Sequence, residues 1–204
     1  MKNFNLKKYS CILAISVFSF FQISQAQQAE LNILNQKRET QVRTGLKALS
    51  SWSAANIIYG SIARNNSTGS TKYFNEMNAI FNGVTLGISA LGYFTAKKPG
   101  ELNLSESFKK QNQAERLFLF NAGLDLAYIA GGAYIKEKSL TTTKNPDRLK
   151  GYGNSIMLQG AALAVFDGVM YIIMRKNGKK INALLENISF KSSGNGLGLA
   201  YSFH

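Results

Sequence analysis

Asn121-Ala122-Gly123-Leu124-Asp125-Leu126-Ala127-Tyr128-Ile129-Ala130-Gly131 is the stretch on which the reading of this chain turns. It carries one charged side chain, Asp125, and extends on both sides into Leu117–Ile135, which is near the ~20 apolar residues a membrane-crossing helix needs. Three other runs are equally poor in charge: Leu46–Ala63, Ala79–Ala96 and Ser155–Met174. The second and fourth are the better spanning candidates. The first holds Lys47, several serines and Asn56, and needs its neighbours to keep it in lipid.

Helix signals mark the borders of the runs. Ser70 or Thr71 suits an N-cap, Asn103 with Glu106 three residues on makes a capping box, and Asn145-Pro146-Asp147 supplies N-cap, N1 proline and an acidic first turn. The connections are short, so successive helices run antiparallel. The expected fold is all-α: an antiparallel up-down-up-down four-helix bundle, transmembrane, over residues 27–181. The alternative is an amphipathic envelope bundle in water. Residues 182–204 read as a C-terminal β-hairpin or tail, because Leu197, Leu199, Tyr201 and Phe203 alternate with small residues after Gly194-Asn195-Gly196.

Lys2, Lys7 and Lys8 precede an apolar run from Cys11 to Phe21, followed by Ser24-Gln25-Ala26. This is the layout of a secretory signal peptide over residues 1–26, cut after Ala26. Cleavage removes the only Cys, so the mature chain forms no disulfide. With one His, His204, at the last position, no metal cluster, nucleophilic Cys or catalytic constellation is visible. No enzyme activity, metal or cofactor is expected.

Small residues suggest how the helices meet. Gly123, Ala127 and Gly131 recur every four residues on the third helix, Gly160, Ala164 and Gly168 on the fourth, and Gly83 with Gly87 on the second. In lipid such stripes allow close backbone approach. The polar groups at membrane depth are the candidate site: Asp125 and Asp167, with Asn121, Tyr128 and Tyr171 near them, and a second layer of Asn56, Asn82 and Gln159. The two carboxyls fall at nearly one level. Face to face they would titrate as a pair, the basis for proton or ion coupling. If both glycine stripes form the seam between the third and fourth helices, only Asp167 points into it. Each Asp would then bond Tyr128, Tyr171 or a neighbouring Asn and simply fix the packing.

The 204 residues carry 24 Lys+Arg against 11 Asp+Glu, a net charge of +13. An exported chain seldom meets nucleic acid, and no nucleic-acid motif is present. Lys97-Lys98, Lys109-Lys110, Arg175-Lys176 and Lys179-Lys180 lie just outside helix ends, which suits membrane lipids with anionic headgroups. A second copy of the chain, an envelope protein bound by a peripheral helical adaptor, or plain solvation of the helix ends complete the alternatives. A cleaved signal would leave more Lys and Arg outside than inside, against the positive-inside rule, so inner and outer membrane both remain open.

The strings Trp52-Ser53-Ala54-Ala55-Asn56-Ile57-Ile58-Tyr59-Gly60, Tyr73-Phe74-Asn75-Glu76-Met77-Asn78, Asn121 through Gly131, and Gly151-Tyr152-Gly153-Asn154-Ser155 leading to Phe166-Asp167-Gly168-Val169-Met170-Tyr171 carry a likeness. On them, about residues 40 to 180 resemble an uncharacterised family of small exported four-helix proteins of Gram-negative bacteria, a domain of unknown function. The resemblance implies a membrane-associated helical protein. It supplies no activity and no catalytic residue.

Overall fold

The computed structural model describes residues 6–96, 101–186, 188–193 and 196–201. Lys2, Lys97-Lys98, the Gly194-Asn195 turn and Phe203 lie outside the described residues. Four α-helices follow one another: α1 (Leu6–Asn65), α2 (Gly69–Thr95), α3 (Leu104–Thr141) and α4 (Pro146–Glu186). Helix α1 passes unbroken through Ala26, and α4 continues past residue 181, where the bundle was expected to end. Beyond it, β1 (Ile188–Ser193) and β2 (Gly196–Tyr201) pair antiparallel, with Ile188 opposite Tyr201.

The helix starts follow local chemistry. At α3 the Asn103 side chain accepts from the Glu106 amide at 2.9 Å while Glu106 Oε2 accepts from the Asn103 amide at 3.2 Å, so the capping box is formed. Proline opens α4, preceded by Asn145 at φ 56°. The start of α2 differs from expectation. Its N-cap is Thr68, not Ser70 or Thr71, and Thr68 makes no side-chain cap bond. Gly69 takes φ 56°, a conformation free to glycine, and the helix begins there.

Helices α1 and α2 pack as an antiparallel pair, and so do α3 and α4. Helix α2 then packs on α4 rather than on its chain successor α3. Gly151 lies against Ser70 and Phe74, and Gln159 bonds Asn78, so α2 and α4 run parallel. The direction of the helices still alternates along the chain.

One seam joins α3 to α4 over its whole length. Helix α3 buries Gln111, Phe118, Asp125, Gly132 and Ser139, and α4 buries Gly153, Gly160, Asp167, Met174 and Ile181. Both series repeat every seven residues, the spacing of a coiled-coil seam. In the antiparallel register Leu104 packs at Ile181, Gln111 Nε2 donates to the Met174 carbonyl at 2.6 Å, Gly160 meets the Asp125 carbonyl, and Gly132 meets Gly153.

The chemistry of the interior changes along these helices. At one end α1 from about Gln27, the start of α3 and the end of α4 form a three-helix extension. Leu31, Leu34, Ile181 and Leu184 are buried there, and Lys109, Lys110, Lys179 and Lys180 face outward. Phe118, Met170 and Met174 form the next layer. Within the four charge-poor runs beyond that layer the pattern inverts. Ser53, Asn82, Ser89, Asp125, Ser155, Gln159 and Asp167 are buried. The large apolar side chains are outside: all the exposed large hydrophobics except Ile33, Phe108 and Leu140 belong to these runs.

Candidate functional site: a polar interior

An amide cluster ties three helices together. Asn78 of α2 is its hub. Its Nδ2 donates to Asn56 Oδ1 of α1 at 3.1 Å, and its Oδ1 accepts from Gln159 Nε2 of α4 at 2.5 Å and from Asn82 Nδ2 at 3.2 Å. Asn56 donates to the Trp52 carbonyl at 2.9 Å, and Ser50 and Ser89 hydroxyls meet at 2.8 Å one level away. Sequence spacing singled out Asn56, Asn82 and Gln159 and missed Asn78. The signal was there: Asn75, Asn78, Asn82 and Ser89, all buried on α2, fall at steps of three, four and seven.

Asp125 and Asp167 come together. Both are buried, and their carboxyls face one another closely enough to interact, with the Asn121 side chain near Asp167. A hydrogen bond between two carboxyls requires a proton on one of them. Asp125 Oδ2 has no partner. Of the two arrangements open from the sequence, the face-to-face one is found: Asp125 points into the α3–α4 seam beside Asp167, which a seam built on both glycine stripes would not allow. Nor do tyrosines hold the pair, since no hydrogen bond joins either Asp to Tyr128 or Tyr171. Tyr128 is half-exposed and meets Phe81 edge-on at 5.4 Å, and Tyr171 packs beside Phe118 and Met174.

The glycine stripes are corrected with it. A Cβ built on Gly83, Gly87, Gly123, Gly131 or Gly168 meets nothing within 4 Å, and Ala127 is exposed, so these residues face outward. Of the stripe on α4, Gly160 lies in the seam and Ala164 is half-buried. A four-residue repeat on α3 leaves the seam because the coiled-coil period is seven. The close approaches lie at Gly132 and Gly153, at Gly151, and at Gly60, whose Cβ would stand 2.7 Å from the Asn75 carbonyl.

One end of the runs carries a polar lock. At the end away from the extension, Tyr152 donates to Glu76 Oε1 at 2.5 Å, Arg64 Nε to Glu76 Oε2 at 2.7 Å, and Arg148 lies 5.0 Å over the Tyr152 ring. The Tyr152 hydroxyl foremost, and then Arg64, hold the Glu76 carboxyl below the usual carboxylate range. Burial, then the bond to Glu76, pushes the Tyr152 phenol up. Trp52 and Tyr59 are both exposed on α1.

Chemically, this interior offers amide and carboxyl hydrogen bonding. Among the described residues no group of His, Cys, Asp and Glu is arranged to hold a metal ion. Helix and seam thus define an all-α bundle with a polar centre and an apolar exterior. Residues 48–168 match the family of unknown function DUF6992, and the chain belongs to that family. The match takes in both carboxyls and the whole amide cluster. No curated protein and no solved structure matches the chain.

Two helices, α3 over Leu104–Thr141 and α4 over Pro146–Leu184, are long and apolar enough to cross a membrane. The expectation favoured the second and fourth runs. Helix α2 stops at Thr95, so any long window on it takes in Asn78 as well as Asn82.

Proposed function

We propose that this is a small integral membrane protein of the cell envelope, non-enzymatic, whose polar interior around Asp125, Asp167 and Asn78 holds four helices together in lipid. The observation that carries the reading is the inverted burial. In water, exposing Ile58, Val84, Ile88, Leu126, Val165 and Ile172 while burying Asn and Asp sets the hydrophobic effect against the fold. In lipid the same arrangement pairs Asn56, Asn78, Asn82 and Gln159 with one another and keeps Asp125 and Asp167 out of the hydrocarbon. A core helix of a soluble protein is mostly buried, whereas the most apolar windows of α3 and α4 are buried for only 17% and 22% of their residues. The spacing of charges agrees. Lys47 and Arg64, Arg116 and Lys136, and Lys150 and Arg175 bracket their helices about 25, 30 and 38 Å apart at ~1.5 Å per residue, against a hydrocarbon core of about 30 Å. Only Asp125 and Asp167 fall between them.

An export signal cut after Ala26 and a C-terminal hairpin outside the bilayer complete the proposal. Alkaline carbonate extraction tests it: the protein stays with the membrane pellet, and release into the soluble fraction would instead favour a peripheral adaptor. Single cysteines at Val84, Leu126 and Val165, in a chain whose Cys11 is replaced by Ser, resist a membrane-impermeant maleimide, whereas one at Lys179 or Lys144 reacts from one side of the membrane. A mature N-terminus at Gln27 is the expected outcome of N-terminal sequencing.

A second reading, proton or ion coupling at the carboxyl pair, has one observation in its favour, the unpartnered Oδ2 of Asp125. Asp125→Asn and Asp167→Asn strains that grow like wild type across pH and ion stress would remove it.

A further inference from the structure

At the level where the runs meet the extension, two cations converge on one ring. The Arg43 guanidinium lies 4.7 Å from the Tyr93 ring centroid and the Lys47 ammonium 5.4 Å from it. Arg43 Nη1 also donates to the Ala96 carbonyl at 3.2 Å, where α2 ends. Among the described residues the ion pairs are Arg38–Glu39, Arg64–Glu76 and Arg175–Glu115, so neither Arg43 nor Lys47 has a carboxylate partner. An aromatic ring attracts a cation weakly, and two like charges held at one ring repel. The neutralising charge is missing.

Beside the pair is a recess of about 330 Å³ bounded by Lys47, Ser51, Tyr93 and Phe94. Ser50 and Ala90 also line it, and on α2 the apolar side chains Phe94, Leu91 and Ile88 stand exposed. A ligand suited to it has an anionic head and an apolar body lying along α2. We propose that Arg43, Lys47 and Tyr93 form a binding site for the phosphodiester of an anionic phospholipid, with its acyl chain along Leu91 and Ile88. Basic pockets between helices at the membrane surface bind such headgroups. The proposal rests on the membrane reading of the bundle. It adds that one interfacial position selects lipid by charge.

The test uses the full chain purified in neutral detergent and offered equal amounts of phosphatidylglycerol and phosphatidylcholine, with retained lipid counted by native mass spectrometry. Wild type retains the anionic lipid preferentially. Lys47→Gln lowers that preference about five-fold, and Arg43→Gln with Lys47→Gln lowers it further. Because Arg43 also ties down the end of α2, Arg43→Lys serves as a charge-keeping control and leaves the preference near wild type. Lys110→Gln and Lys179→Gln, on the extension, leave it unchanged. Equal retention of both lipids by wild type overturns the site, as does a Lys47→Gln protein with full preference, or an equal loss from the extension variants. Carbonate extraction of Lys47→Gln reads insertion separately: a protein that stays in the pellet but loses lipid selectivity supports the site, and one released by carbonate overturns the membrane reading itself.

Discussion

Alanine at Gly153 is the sharpest perturbation of the α3–α4 seam. The added methyl carbon would lie 2.5 Å from the Gly132 carbonyl oxygen and 2.6 Å from the Lys136 amide nitrogen. Carbon and carbonyl oxygen ordinarily stay about 3.3–3.6 Å apart even when they attract. Both obstructing atoms are backbone, so the helices themselves must part by about 1 Å. Overpacking costs about 1–3 kcal/mol, and an obstruction that no rotamer change can clear belongs at the upper end. Alanine returns up to about 1 kcal/mol through its helix propensity. The net loss is about 2 kcal/mol, roughly thirty-fold in the folding equilibrium. Gly123→Ala is the control, since nothing lies within 4 Å of the new methyl group. Only the propensity change acts there, and stability is unchanged or rises by up to about 1 kcal/mol. Both variants are compared by reversible unfolding in mixed detergent micelles, followed by helical circular dichroism and by fluorescence of the single Trp52. If Gly123→Ala loses as much as Gly153→Ala, the seam runs through the outward stripe and the packing described here is refuted.

Three further outcomes are expected. Asn78→Leu removes the hub of the amide cluster, its bonds to both the side chain and the carbonyl of Asn56 and its bond to Gln159; at ~0.6 kcal/mol per interhelical bond the same unfolding assay reads a loss of about 2 kcal/mol, and an unchanged midpoint would show that the cluster is incidental. Asp125→Asn supplies the N–H that a carboxyl pair otherwise obtains from a shared proton, so it unfolds near wild type while Asp125→Leu is clearly weaker; equal behaviour of the two would dissolve the Asp125–Asp167 contact. Glu76, its carboxyl lowered by Tyr152 and Arg64, contributes stability that is complete above about pH 4.5 and is lost as pH falls through its lower folded value. Tyr152, raised by burial, contributes stability that is complete below about pH 10 and is lost above it. Glu76→Gln therefore flattens the acid limb of a stability–pH curve, and an acid limb identical to wild type would contradict the lock.

Much of the fold was written in the chain. Four charge-poor runs, the Asn103–Glu106 box and Pro146 locate two helix starts and the number of helices, because caps and charge act locally. Two things stayed hidden. The stripes that stand out in the sequence are of small residues at a spacing of four, whereas the stripe of α3 that packs is mostly polar: Gln111, Asp125 and Ser139 share a period of seven with Phe118 and Gly132. The eye goes instead to Gly123, Ala127 and Gly131, whose four-residue spacing imitates a packing motif on a face that meets no other helix. The pairing of α2 with α4 was hidden too. Short loops fix the direction of successive helices but not which of two neighbours an internal helix chooses; that choice rests on Gly151 admitting Ser70 and on Gln159 reaching Asn78, contacts far apart in sequence. The carboxyls were found, since an Asp in such a run is conspicuous, but their orientation hung on which stripe packs.

The order in which the chain is made gives the α2–α4 pairing a further meaning. When α1 and α2 have left the ribosome they can form their hairpin, with Asn56 already bonded to Asn78. The other side of the Asn78 amide waits for Gln159, which arrives only with the last helix. Until then the place of Gln159 beside Asn78 stays unfilled, and the Asn78 amide is held by Asn56 and by Asn82 one turn on. The α2–α4 contact can therefore close only once Gln159 has been made, and a chain shortened before Ser155 would lack it.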